Sequence, residues 1–262
     1  MYDLIYQALM LCEPQQKCQA VHALYQQALQ QGWQPQADPQ PVVAVPDPGR
    51  PEAPELVAPR FSKNRPLTTL RGRKALIHAV THIEFNAINL ALDAAWRFRD
   101  MPDQYYLDWL RVADDEARHF ELLSARLAEL DMQYGDLVAH NGLWQAACKT
   151  DHDVMVRMAL VPRVLEARGL DVTPLMIEKL TAAGDDKSVA ALSVILAEEV
   201  AHVEIGSRWL KYCCDQRGLA PEPTFVELLD QYNGVVRPPF NEKARLEAGF
   251  SKAELASLSQ LA

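Results

Sequence analysis

One unit occurs twice in this chain, and it constrains the fold more than any other feature. A lone glutamate, Glu84, is followed 32 residues later by Glu116-Ala-Arg-His119. The same order returns with Glu166 and, 33 residues on, Glu199-Val-Ala-His202. The two copies are offset by 82 or 83 residues. Three residues along an α-helix put both side chains of each Glu-x-x-His on one face, one turn apart, so each motif can grip one ion. A single such motif is weak, since chance supplies about half of one in a chain of this make-up. The repeated interval is what ties the four elements together.

The surroundings are those of a helical core. Glu84 shares a track with Ile77, Val80, Ala87 and Ala91, and Glu166 follows the apolar run MALVPRVL. Periodicity predicts long helices near 70–100, 104–132, 152–168 and 187–216. From Glu84 about 15 residues lead out to a turn at Asp100–Asp103, and about 13 lead back to Glu116. At about 1.5 Å of rise per residue the two glutamates fall within about 3 Å of one level. In the second copy Gly169 and Pro174 are expected to break the outgoing leg. Thr173-Pro174 reads as the start of a further helix near 174–183. Pro162, one turn before Glu166, predicts a kink, either as simple curvature or as the shaping of a cavity beside the metals. Ser251-Lys-Ala-Glu254 reads as a capping box opening a short terminal helix. No segment shows a strand pattern. Long amphipathic helices joined by short turns make antiparallel neighbours, so the expected fold class is an all-α four-helix bundle.

The rest of the chain divides around that bundle. Residues 1–33 form an N-terminal helical segment, two short helices broken near Pro14. Residues 34–68 are a proline-rich extended arm whose Val42, Val43, Val45, Leu56 and Val57 are expected to lie on the surface of the main body. Residues 69–218 are the bundle with its metal site, and residues 219–262 a C-terminal helical extension packed on it.

Four carboxylates and two imidazoles suit two divalent ions, whose charge the glutamates balance. Without metal, four buried carboxylates would be costly and their pKa values would rise. Hard oxygen with borderline nitrogen suits iron or manganese better than copper or calcium. This pattern resembles the ferritin-like di-iron carboxylate superfamily over roughly residues 70–216. Asp115-Glu116-Ala-Arg118-His119 is similar to the (Asp/Glu)-Glu-x-Arg-His form of oxygen-activating members such as the acyl-carrier-protein desaturases. Glu198-Glu199-Val-Ala-His202 lacks that arginine. The arm together with RMALVPRVLEARGLD also resembles an uncharacterised bacterial ferritin-like domain of unknown function. The resemblance implies two iron ions, or manganese or a mixed pair, held by Glu84, Glu116, His119, Glu166, Glu199 and His202, which together form the catalytic cluster. The expected activity is an oxidoreductase of hydroxylase or oxidase type that uses O2 or peroxide, an electron donor and an organic substrate. The alternatives are a non-enzymatic iron-handling protein and a structural bundle whose arm binds a partner.

Other residues carry two readings each. His78 and His82 make capping or surface hydrogen bonds, or support a ligand carboxylate. Asp115 and Arg118 form an ion pair behind the ligands or at the surface, and Glu204 with Arg208 has the spacing of a surface pair. Glu198 flanks the second motif. Arg60, Lys63, Arg65, Arg71, Arg73 and Lys74 form a basic tract, read as a solvated face or as an attractor for an anionic ligand.

The formal net charge of -9 argues against a general nucleic-acid binder. Five cysteines without a Cys-x-x-Cys pair do not make a disulfide framework, which points to a reducing cytoplasm. The start MYDLIYQALMLCEP reads as an amphipathic helix, not a signal peptide, and no apolar run reaches the roughly 20 residues of a membrane span. A monomer or homodimer is expected, because the arm and terminal helices do not suit a self-assembling shell.

Overall fold

The computed structural model describes residues 1–58 and 65–261. Arg60 and Lys63 of the basic tract therefore lie outside the described residues. The fold class is the expected one, all-α and built from packed helix hairpins, and among the described residues the only extended pairing is an isolated parallel bridge between Leu56 and Ala139. The chain divides into two compact units, residues 1–148 and 149–262.

The first unit is organised on a hairpin of two long helices, α3 (Leu70–Arg97) and α4 (Asp103–Glu129), preceded by α1 (Tyr2–Met10) and α2 (Pro14–Gln31). Helix α2 starts where the sequence places a start: Pro14 takes the first position and the Glu13 carboxylate accepts from Gln16 N at 2.7 Å. Thr69 caps α3 in the same way, its Oγ1 accepting from Gly72 N at 3.0 Å. Almost the whole of α3 from Ile77 to Trp96 is buried, because α1 and α4 both pack on it. The contact with α1 and α2 includes a buried cation. Lys17 Nζ donates to Leu9 O at 2.7 Å and to Asn89 Oδ1, and sits 5.5 Å from the Phe85 ring centroid. Burial pushes this ammonium down to about 7.

The arm is held along this unit by backbone contacts. Gly49 N donates to Leu9 O at 3.0 Å, and a Cβ there would stand 2.3 Å from the Met10 carbonyl carbon, so only glycine fits. Trp144 Nε1, on α5 (Gly142–Lys149), donates to Val45 O and Pro46 O at 3.1 Å each. Ala139 N donates to Glu55 O at 3.0 Å, and Val57 N to Ala139 O at 2.8 Å. Of the arm's apolar residues Val45 is buried and Leu56 and Val57 half-buried, but Val42 and Val43 are exposed, which departs from the expectation for those two.

The second unit is a hairpin of one irregular helix against α8 (Asp186–Gln216), with α9 (Pro221–Gln231), α10 (Glu242–Glu247) and α11 (Lys252–Leu261) packed in succession. The irregular helix runs without a break from Val154 to Ala182: α6 (Val154–Leu160), a π-helical turn (Val161–Glu166), then α7 (Ala167–Ala182). This corrects two expectations. Pro162 produces a π-turn, in which Ala167 N donates to Pro162 O, five residues back. Pro174 starts no new helix but lies inside α7. The carbonyl it deprives of a donor, Leu170 O, accepts instead from Asn241 Nδ2 at 3.2 Å. The capping box is present as read: Ser251 N donates to Glu254 Oε2 at 2.7 Å and Glu254 N to Ser251 Oγ at 3.0 Å.

Candidate metal centre

Glu84 projects from α3, and Glu116 and His119 from successive turns of α4. All three are buried, with exposures of 3%, 0% and 1%. His119 Nδ1 lies 3.2 Å from Glu116 Oε2 and 3.4 Å from Glu84 Oε2. Each of the three offers a ligand atom, and these atoms lie within 4.8 Å of one another. The near-equal legs of the α3–α4 hairpin thus bring Glu84 to the level of the Glu-x-x-His motif. Two carboxylates and an imidazole in a dry interior form a group that can hold a metal ion, with hard oxygen and borderline nitrogen donors. Burial alone would lower the His119 pKa. Hydrogen bonding to Glu116 and Glu84, with the charge of both, overrides it and carries the imidazole up to about 11.

In the second unit Glu199 and His202 sit one turn apart on α8, His202 Nδ1 being 3.7 Å from Glu199 Oε1. His202 is buried, while Glu199 and Glu166 are half-buried. Glu166 closes the π-turn. Because α7 is unbroken, its level can now be reckoned. About 24 Å of helix separates Glu166 from Ala182, and about 20 Å of α8 leads back to Glu199, so the two lie within about 4 Å of one level along the hairpin.

The neighbouring candidates resolve into structural roles. His78 Nε2 accepts from Gly135 N at 3.0 Å, and His82 meets Tyr134 Oη at 2.9 Å and His140 O at 3.1 Å. Both histidines are buried and fasten the loop after α4 rather than capping at the surface. Burial pushes His82 down to about 4, so it is neutral at neutral pH. Arg118 pairs with Asp115 at the protein surface, and Arg208 with Glu204 at 3.3 Å, both as exposed cations. Cys213 and Cys214 are buried, and desolvation pushes the Cys213 thiol up to about 12, as suits packing residues. Among the described residues no helix is long and apolar enough to cross a membrane.

Sequence reasoning missed one residue beside this centre. Arg163, inside the π-turn, is 3% exposed and pairs with Glu254 at 2.7 Å. A lone cation inside an otherwise apolar run was the available signal.

No solved structure matches the chain. A curated relative, described as an uncharacterized protein of Haemophilus influenzae (strain Rd), is 45% identical over 262 residues, covering 95% of this chain and 90% of the relative. A family model described as "Protein of unknown function (DUF455)" matches residues 10–256. With its buried Glu–Glu–His group and its two long helix hairpins, the chain belongs to the DUF455 family.

Proposed function

We propose that the chain is a ferritin-like dinuclear metal protein, in which Glu84, Glu116 and His119 hold one ion and Glu166, Glu199 and His202 a second. In this reading the two hairpins close into one four-helix bundle with the six ligands at its centre. The observation that carries it is the buried group of Glu84, Glu116 and His119, whose residue types and order recur in the second hairpin. Iron is the metal we assign, with manganese or a mixed pair as the variants the same donors accept.

The ligands' own work is electrostatic and geometric. Four carboxylates offset the charge of two divalent ions in a site too dry to leave either uncompensated. The i, i+3 spacing fixes each imidazole and its glutamate on one metal. Phe85 and Phe120, chain neighbours of Glu84 and His119 and 5.4 Å apart by ring centroid, wall the first triad from water. Bound iron supplies the electrons that reduce O2 or peroxide, which makes the protein an oxidoreductase acting on an organic substrate with an external electron donor.

The test is metal analysis of protein purified without added metal, followed by anaerobic reduction and exposure to O2 or peroxide. Two metal equivalents with consumption of the oxidant support the reading. Loss of the first equivalent in Glu116→Ala, with the second equivalent retained, places one ion on the first triad. Two equivalents with no consumption of either oxidant would leave a metal-handling protein instead.

A further inference from the structure

Glu166 closes a helical turn of an uncommon kind. A π-turn carries one residue more than an α-turn, and converting one to the other rotates the downstream helix by about 100°. Two contacts hold this turn from different sides. The ring of Pro162 lies where α8 has Gly206: a Cβ at Gly206 would stand 2.3 Å from Pro162 Cγ. Arg163, the next residue, runs instead toward the C-terminal helices. Its Nη2 donates to Glu254 Oε1 at 2.7 Å, and its guanidinium lies 4.3 Å and 4.2 Å from the ring centroids of Phe225 and Phe250. Glu254 is 5% exposed. Its other oxygen accepts from Ser251 N, so one carboxylate both starts α11 and fastens the π-turn. A second buried pair, Arg245 with Asp171 at 2.7 Å, ties α10 to α7 just beyond the turn.

We propose that α11 is a positioning element of the metal centre: Glu254, acting through Arg163, holds the π-turn in the register that aims Glu166 at its ion. The inference rests on the dinuclear reading given above. Breaking one partner of a buried pair leaves the other charge uncompensated, and the cheapest escape is for the turn to move. A terminal helix with no ligand of its own then governs one of the two ions.

Two variants separate positioning from plain stability. Glu254→Gln keeps the capping geometry, since glutamine serves at that position, but removes the charge that Arg163 needs. Ser251→Ala weakens the cap and leaves the Arg163–Glu254 pair. The probe is Co2+, titrated anaerobically into the full-length chain and followed by its visible absorption. Wild type should take two equivalents. Glu254→Gln should bind the first unchanged and the second 10- to 100-fold more weakly, the loss typical of removing a residue that orients a ligand. Ser251→Ala should lower the melting temperature and leave both affinities intact. Equal second affinities and equal spectra in wild type and Glu254→Gln would overturn the inference. If wild type takes fewer than two equivalents, the dinuclear reading fails on its own account. The clasp is then judged by hydrogen exchange at residues 161–167, where faster exchange in Glu254→Gln than in Ser251→Ala upholds it and equal exchange overturns it.

Discussion

Replacing Lys17 by methionine should change how the stability of the first unit depends on pH. Lys17 is fully buried, and among the described residues its ammonium has two oxygen acceptors and no carboxylate. Burial lowers its pKa from 10.5 to about 7. Between those values the unfolded chain binds a proton that the folded chain does not, so wild-type stability rises with pH across that window. At about 1.4 kcal/mol per pH unit, the gain between pH 7 and pH 10 is about 4 kcal/mol. The methionine variant has no such group. It removes a buried charge but leaves Leu9 O and Asn89 Oδ1 without that donor, so at pH 7 the two effects oppose each other. The variant should therefore lie close to wild type at pH 7 and fall below it by about 4 kcal/mol at pH 10. Cysteine and tyrosine titrations are common to both proteins and cancel in the difference. Urea unfolding followed by tryptophan fluorescence is the assay, because four of the five tryptophans, Trp33, Trp96, Trp109 and Trp144, belong to the first unit. A wild-type to variant difference that stays constant from pH 7 to pH 10 would refute the account of Lys17.

Two further outcomes concern buried polar groups. His82, held down to about 4 by burial, resists a proton that the unfolded chain takes up near 6.5, so its contribution is present above that pH and is lost as pH falls toward 4. His82→Gln should flatten this acid slope by up to about 3 kcal/mol in denaturant melts, and an unchanged slope would contradict the assignment. In the second unit, Asn241→Ala should cost about 1 kcal/mol more in wild type than in Pro174→Ala, because alanine at 174 returns the donor that Leu170 O lacks. Strict additivity of the two substitutions would show that the Asn241 amide does not replace the missing bond.

The first triad is legible in the sequence because both legs of its hairpin are regular. Counting residues from Glu84 to the turn and back to Glu116 is enough when every residue rises by the same amount, and His119 then meets both carboxylates. The second hairpin defeats the same count. Local preference places Thr173-Pro174 at a helix start, and what overrules it is the side chain of Asn241, a residue with no local mark of that role. Pro162 announces an irregularity, but its form depends on Gly206 and Arg163, one on another helix and the other paired with Glu254. Lys17, set in the polar stretch QQKCQ, reads as a solvated residue. Its burial comes from the end of α1 and from Asn89 on α3. His78 and His82 are visible as a helical pair, but their partners lie in the loop after α4, which no periodicity describes.

The arm has a kinetic consequence. Its anchors join Val45 to Trp144 and Glu55 to Ala139, spans approaching one hundred residues. Contacts of such separation are paid for in chain entropy before they return anything, so they form late in folding. During synthesis the helices of the α3–α4 hairpin emerge well before α5 does. The arm therefore stays unanchored at that end until Trp144 has left the ribosome, and the exposed underside of the first unit is open to other chains for that interval.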